Sequence, residues 1–197
     1  MNIGLIGCGF MGGALARGMA AHKVAQTILL EDSDAGKAAA LAVETGARAC
    51  GSAAELARNA DLIILAVKPQ QIAAILDADF AAAAGNKPVV SIAAGIRLAK
   101  LGELLPRAHL IRVMPNTPAS RGDGVIAWSC APETTEADMT LFVRAFGCAG
   151  RLSAYIDAHT FHTTHGRPLA FATGLAMARP DARVVVITGD GDCLAIG

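Results

Sequence analysis

The chain has 197 residues, 53% of them hydrophobic and 17% charged, with 17 Lys+Arg against 17 Asp+Glu. That length holds one well-packed core, or one domain plus a fragment, and the charge balance, with a pI near 6.9, provides no electrostatic footprint for nucleic acid or an anionic membrane surface. Small ligands become the expected partners. A mean hydropathy of +0.45 comes largely from alanine, and the apolar runs at 62–67 and 184–187 fall far short of the ~18 residues of a membrane span. Met1-Asn2-Ile3-Gly4 enters a strand without the basic segment and cleavage site of a signal peptide, so the expected compartment is the cytoplasm. Cys8, Cys50, Cys130, Cys148 and Cys193 are odd in number and form no C-x-x-C pair, which predicts reduced thiols.

Taken in chain order, apolar strands alternate with alanine-rich helices through the first two-thirds. Strands are predicted at 2–6, 27–30, 62–67, 89–92, 109–114 and 125–128, and helices at 11–21, 34–45, 52–59, 70–76, 98–104 and 135–146. This βα alternation predicts a Rossmann-type, doubly wound α/β fold with a parallel sheet covered on both faces. Ser52 followed by Glu55 is a capping-box signature for the third helix, in which each side chain takes one orphan N–H. After Phe146 histidines and threonines crowd into 155–165, followed by a helix at 168–178 and a strand at 184–188. That second strand is apolar on both faces, as a central parallel strand would be.

Gly7-Cys8-Gly9-Phe10-Met11-Gly12 follows the first strand and opens the first helix, the context in which G-x-G-x-x-G signals a dinucleotide. Gly7 permits the tight turn, Gly9 lets backbone approach a pyrophosphate, and Gly12 allows close packing. The helix N-terminus then offers N–H donors and the positive end of its dipole to the phosphates. About 20 residues on, Glu31-Asp32-Ser33-Asp34 ends the second strand, where a carboxylate accepts from the adenosine ribose hydroxyls. This favours NAD(H) over NADP(H), and the same turn would cap the next helix through Ser33 or Asp34. Three further segments fall at strand ends, on the ligand-binding rim of an open α/β sheet: Ala66-Val67-Lys68-Pro69, Ser91-Ile92-Ala93-Ala94-Gly95 and Met114-Pro115-Asn116-Thr117-Pro118.

With these motifs in this order, residues 1–146 resemble the N-terminal domain of pyrroline-5-carboxylate reductases. The resemblance rests on Ile6-Gly7-Cys8-Gly9-Phe10-Met11-Gly12, on Ala66-Val67-Lys68-Pro69 and Ser91-Ile92-Ala93-Ala94-Gly95, and on Arg112-Val113-Met114-Pro115-Asn116-Thr117-Pro118-Ala119. It implies hydride transfer from NAD(P)H to the C=N carbon of Δ1-pyrroline-5-carboxylate, giving proline, without a metal. It further implies that Ile6 to Met11 hold the pyrophosphate, that the turn at Glu31 and Asp32 meets the adenosine ribose, and that Ala66, Val67, Lys68, Pro69, Ala94 and Asn116 line the route towards the nicotinamide. That family's helical C-terminal domain makes the dimer and supplies the substrate-binding segments, and residues 147–197 do not resemble it. Dinucleotide binding with weak or absent turnover is therefore expected, since a donor without a positioned acceptor loses a proximity term of ~7–11 kcal/mol.

Gly189-Asp190-Gly191-Asp192 follows the strand at 184–188, a pattern that suits a diphosphate with Mg2+ held by a carboxylate and is equally a plausible turn. Together with Gly147-Cys148-Ala149-Gly150-Arg151 and His162-Thr163-Thr164-His165-Gly166-Arg167, it makes residues 147–197 similar to part of the β subunit of 2-oxoacid:ferredoxin oxidoreductases. The resemblance implies thiamine diphosphate, with Asp190 on Mg2+, Cys148 matching one ligand of a [4Fe–4S] cluster and His165 near the cofactor. One cysteine does not hold a cluster that needs four thiolates, and the Asn that would complete the Mg2+ site lies beyond the sequence. His159, His162 and His165 are read as pocket and structural residues in preference to a zinc site.

The domain expectation is thus a chimera: an NAD(P)-binding domain at 1–146 and a partial thiamine-diphosphate-binding, helix–strand fragment at 147–197. Two other functions compete with cofactor binding by the first domain. One is a non-catalytic assembly protein that self-associates through its C-terminal strand; the other is thiamine-diphosphate chemistry with the first domain incidental.

Overall fold

The computed structural model describes residues 1–115 and 126–146. The strands are β1 (Asn2–Ile6), β2 (Thr27–Glu31), β3 (Arg48–Ala49), β4 (Leu62–Leu65), β5 (Pro88–Ser91), β6 (His109–Pro115) and β7 (Ile126–Cys130). They form one seven-stranded sheet in the order β3-β2-β1-β4-β5-β6-β7. The helices are α1 (Phe10–Ala21), α2 (Ala35–Thr45), α3 (Ala53–Asn59), α4 (Ile72–Ile75), α5 (Ala78–Ala84), α6 (Leu98–Leu104) and α7 (Glu136–Phe146).

Side chains alternate across each strand, and the alternation divides the core into two layers. Ile3 and Leu5 of β1, Leu62 and Ile64 of β4, Val90 of β5 and Ile111 and Val113 of β6 face α1, α2 and α7, meeting Met19, Leu41 and Phe142. Ile6, Ile63, Leu65, Val89 and Leu110 face the other way, against Leu56 of α3, Phe80 of α5 and Leu101 of α6. Both faces are covered, so β1, β4 and β5 are apolar or glycine along nearly their whole length, as a buried parallel sheet requires.

Three features depart from the sequence expectation. The last strand is antiparallel: β7 pairs with β6 through Ile111↔Cys130, Val113↔Trp128 and Pro115↔Ile126, since the stretch between Pro115 and Ile126 is shorter than the dozen or so residues a parallel crossover needs. Two short elements carry no strong signal in the sequence. β3 is a two-residue edge strand beside Leu29 and Leu30, and α5 uses the alanine run at 81–84 with Asp77 as its cap, the carboxylate accepting from Phe80 N at 2.8 Å. The helix expected at 70–76 divides into a 3-10 turn, Pro69–Gln71, and the single turn of α4.

Side-chain caps mark the N-termini of α2, α3, α5 and α7. Ser52 caps α3 as expected, accepting from Glu55 N at 3.1 Å, but the Glu55 carboxylate reaches Gly51 N at 2.9 Å, one residue upstream of the reciprocal partner. A complete box forms instead on α7. Asp138 Oδ2 accepts from Thr135 N at 2.8 Å, and Thr135 Oγ1 accepts from Asp138 N at 3.2 Å. The same carboxylate oxygen lies 2.7 Å from His109 Nδ1 on β6, so one buried side chain caps the helix and pins it to the sheet. The helix and strand expected at 168–178 and 184–188 lie outside the described residues.

Burial pushes the Asp138 carboxyl up, but the hydrogen bonds from Thr135 and His109 outweigh it and leave it below the usual carboxylate range. A carboxyl whose pKa falls on folding stabilises the protein above its unfolded value near ~4, and that contribution fades as the pH falls through the folded value. Asp138→Ala is expected to cost about 1–3 kcal/mol at pH 7, with the gap to wild type narrowing below about pH 4 in circular-dichroism melts. An equal gap at pH 3 and pH 7 would contradict the assignment.

Candidate dinucleotide site

The strand order reverses at β1: the chain runs outward through β2 and β3 on one side and through β4, β5 and β6 on the other. Adjacent crossovers therefore leave on opposite faces of the sheet, and a crevice opens beyond the C-terminal ends of β1 and β4. Ala66 N donates to Ile6 O at 2.8 Å and Ile92 N to Leu65 O at 3.1 Å. These bonds bring three of the sequence segments, at 6–12, 66–69 and 91–95, to one rim. Asn116 of the fourth segment lies outside the described residues, as does Asp190.

The loop after β1 is shaped by contacts with its neighbours. Gly7 has φ of +98°, and a Cβ there would sit 2.5 Å from Ala66 O and 2.8 Å from Val67 Cγ1, so only glycine fits. Gly12 is equally constrained, since a Cβ would strike the carbonyl oxygen of Gly7 and approach Ala66 Cβ to 3.3 Å. The close packing expected of Gly12 is thus between helix and loop more than between helix and strand. At Gly9, the N-cap of α1, an added Cβ meets nothing within 4 Å, and no side chain caps the helix. That combination of an uncapped N-terminus and open space suits a phosphate.

The structure divides the predicted phosphate-binding stretch into two parts. Ile6 is 1% exposed and belongs to the core; Gly7 N donates to Glu31 O at 2.8 Å and Cys8 N to Asp32 Oδ2 at 2.7 Å. The donors that bond to no other described residue start at Gly9 and continue through Phe10 and Met11. The Phe10 ring is 74% exposed, so what this residue brings to the loop is its N–H. An open cleft of about 470 Å³ lies against Cys8, Gly9, Phe10, Gly13 and Arg17, a volume in the range of small-ligand sites.

Burial first, and then the charges of Asp32 and Glu31, push the Cys8 thiol up to about 11. It is a thiol at neutral pH and no nucleophile. Burial and Asp32 likewise push the Glu31 carboxyl up. Lys68 and Ala94 are exposed on the rim beside half-buried Val67 and Pro69, and Lys68 N donates to Gln71 Oε1 at 3.2 Å.

Two features of this site have no local signal in the sequence. The Asp32 to Cys8 bond joins residues 24 apart in the chain, and the paired Arg17–Glu44 contact, at 2.6 and 3.0 Å, joins residues 27 apart beside the cleft. Only the fold brings either pair together.

A glycine-rich turn between the first strand and helix, at the switch point of a doubly wound sheet, defines a Rossmann-type dinucleotide fold. Two family models match the chain: "NADP oxidoreductase coenzyme F420-dependent" over residues 2–95 and "Thiamine pyrophosphate enzyme, C-terminal TPP binding domain" over residues 134–197. The chain is 33% identical over 190 residues to pyrroline-5-carboxylate reductase 3 of Danio rerio, covering 93% of this chain and 65% of that protein. It is 56% identical over 62 residues to the 2-oxoglutarate synthase subunit KorB of Archaeoglobus fulgidus, covering 32% of this chain and 23% of that one. Among solved structures, the Plasmodium falciparum pyrroline carboxylate reductase with NADP bound shares the fold with a TM-score of 0.65 at 24% identity, over 92% of this chain and 64% of that chain. The chain thus carries one stretch similar to pyrroline-5-carboxylate reductases and one similar to thiamine-pyrophosphate-binding subunits. It spans less than two thirds of the length of the curated relatives it matches.

Gly9 and Gly12 make opposite predictions. Gly9→Ala adds a methyl group to open space and is expected to leave stability within about 1 kcal/mol. Gly12→Ala forces backbone apart and should cost about 1–3 kcal/mol, read by urea denaturation. Equal effects would show that the loop geometry is wrong.

Proposed function

We propose that residues 1–146 form a nucleotide domain that binds NAD(P)H through the loop at Gly9, Phe10 and Met11. The observation that carries this is the uncapped N-terminus of α1 facing open space at Gly9, in a loop whose other donors already have partners. In this reading the pyrophosphate lies on the first turn of α1, the adenosine ribose meets Asp32 with Glu31 behind it, and the nicotinamide lies towards Ala66, Val67, Lys68, Pro69, Ala94 and Asn116. A bound dihydronicotinamide supplies hydride, and similarity to pyrroline-5-carboxylate reductases makes a cyclic imine the substrate class and proline the product. The protein's own contribution is to orient the cofactor over a rim built of backbone and small side chains.

The boundary of this domain is placed after Phe146. The thiamine-pyrophosphate model already matches from residue 134, yet Phe142 and Ala145 of α7 are buried against the Rossmann sheet, which supports keeping the helix with the first domain. Residues 147–197 then form a fragment related to a thiamine-diphosphate subunit, with Asp190 as the Mg2+ ligand, and the chain as a whole is a chimera. Turnover is weak or absent in this reading, because that stretch follows another family's pattern where the reductases supply substrate contacts. The protein is placed in the cytoplasm, and among the described residues no helix is long and apolar enough to cross a membrane.

Titration of the full chain with NADH and NADPH, followed by nicotinamide fluorescence, is expected to show binding that Gly9→Asp abolishes. Aspartate is a favourable N-cap, so the variant should fold while its carboxylate repels the pyrophosphate; identical isotherms for the two proteins would sink the proposal. Thiamine diphosphate with Mg2+ is expected to bind feebly in calorimetry. A tight isotherm lost in Asp190→Ala would transfer the main function to the C-terminal stretch.

A further inference from the structure

The last rung of the sheet before the rim holds a cation without an acceptor. Strand register lines up Ile6, Leu65, Ser91, Arg112 and Ser129 on β1, β4, β5, β6 and β7. Residues paired in this way share a face, and Ile6 and Leu65 belong to the core layer under α3, α5 and α6. Arg112 Nε is enclosed and finds no hydrogen-bond partner among the described residues. The ion pairs of those residues belong to Arg17, Lys37, Arg48, Lys100 and His109, so no described carboxylate answers the charge of Arg112.

A guanidinium stays protonated in a protein, and a buried donor left unpaired costs free energy that a bound acceptor would recover. The neighbours of Arg112 in the row add donors and no charge. Ser91 is fully buried and its Oγ accepts from Ala93 N at 3.3 Å, which leaves the hydroxyl proton to be donated; Ser129 brings a second hydroxyl. Glu31 ends the same row on β2, but four strand spacings, about 19 Å, separate it from β6. The terminal nitrogens of Arg112 are not among the enclosed groups. A stem enclosed up to Nε, with its terminal N–H groups in reach of solvent, is a preorganised fork of the kind that holds one carboxylate through two parallel hydrogen bonds.

Position along the rim selects the carboxylate. In the dinucleotide reading above, on which this inference rests, the pyrophosphate lies at the end of β1 and the nicotinamide towards Ala66 and Ala94, beyond β4 and β5. β6 is three strand spacings from β1, about 14 Å, on the far side of the nicotinamide from the phosphates. An anion at Arg112 is therefore carried by the molecule that meets the nicotinamide, and the product of that reading, proline, is an acid. We infer that Arg112, with Ser91 beside it, binds the carboxylate of a cyclic imino acid, which gives the first domain a substrate contact of its own.

The test titrates the NADH-loaded full chain with L-proline and with L-prolinamide, which keeps the ring and amine and lacks the acid, followed by calorimetry. L-proline is expected to bind at least ~10-fold tighter, the scale of one charge-assisted hydrogen bond. Arg112→Met, similar in length and uncharged, should abolish that preference, leave NADH affinity unchanged and melt no lower than the wild type without ligand, since it removes a charge that has no partner. Arg112→Lys keeps the charge but not the fork, and should weaken L-proline about 3-fold. Equal binding of the two ligands by the wild type, an unchanged preference in Arg112→Met, or a fold that only Arg112→Lys retains would overturn the inference and leave the dinucleotide reading intact. A wild type that binds no NADH would overturn that reading, and this inference with it.

Discussion

The parallel pairing of β1 on both of its edges is the constraint from which the rest of the architecture follows. Ile3 to Ile6 register with β2 on one side and β4 on the other, so this stretch of the strand has no free edge and carries no polar side chain. Because the chain proceeds outward in both directions from that strand, the crossovers on its two sides occupy opposite faces. The crevice at their divergence is a consequence of strand order, and it falls where the glycine-rich loop leaves β1. Burial on both faces then explains the composition: α1 and α3 approach the sheet through small residues such as Ala16 and Ala57, which permit close packing.

The loop at this crevice is a problem in satisfying backbone donors. Gly7 and Cys8 direct theirs to the end of β2, which holds the loop against the sheet. From Gly9 onward the donors belong to a helix terminus, where three or four N–H groups have no intrahelical partner by geometry. A ligand phosphate would resolve that deficit from outside, as a side-chain cap would from within. The contrast within this one protein is direct, since Asp34, Ser52, Asp77 and Thr135 cap α2, α3, α5 and α7 and no side chain caps α1.

The two similarities overlap along the chain, and packing shows which core α7 joins. Phe142 sits edge-on to Trp128 with ring centroids 5.9 Å apart and stacks at a tilt on Phe146 at 5.0 Å, while His109 and Asp138 join α7 to β6. These contacts make α7 part of the first core although one family model for the second stretch starts before it. Removing the helix would expose Val90, Ile111 and Val113, apolar surface worth about 25 cal/mol per Å² to bury.

Much of this protein was legible from residue types alone, because the signals concerned are local. The glycine spacing after β1, the alternation of apolar and alanine-rich segments, the Ser52 cap and the acidic end of β2 each express a preference that neighbouring residues enforce. The direction of β7, the existence of β3, the transfer of Glu55 to Gly51 and the reciprocal cap shared with His109 were not legible in this way. Each is decided by a partner distant in the chain or by competition among nearby donors. The same distinction applies to the candidate site. The sequence marks Asp32 as a candidate ribose contact, but only the folded chain sets it 2.7 Å from Cys8 N. That bond spans 24 residues and forms because β1 and β2 lie side by side, an arrangement that packing and strand pairing determine together.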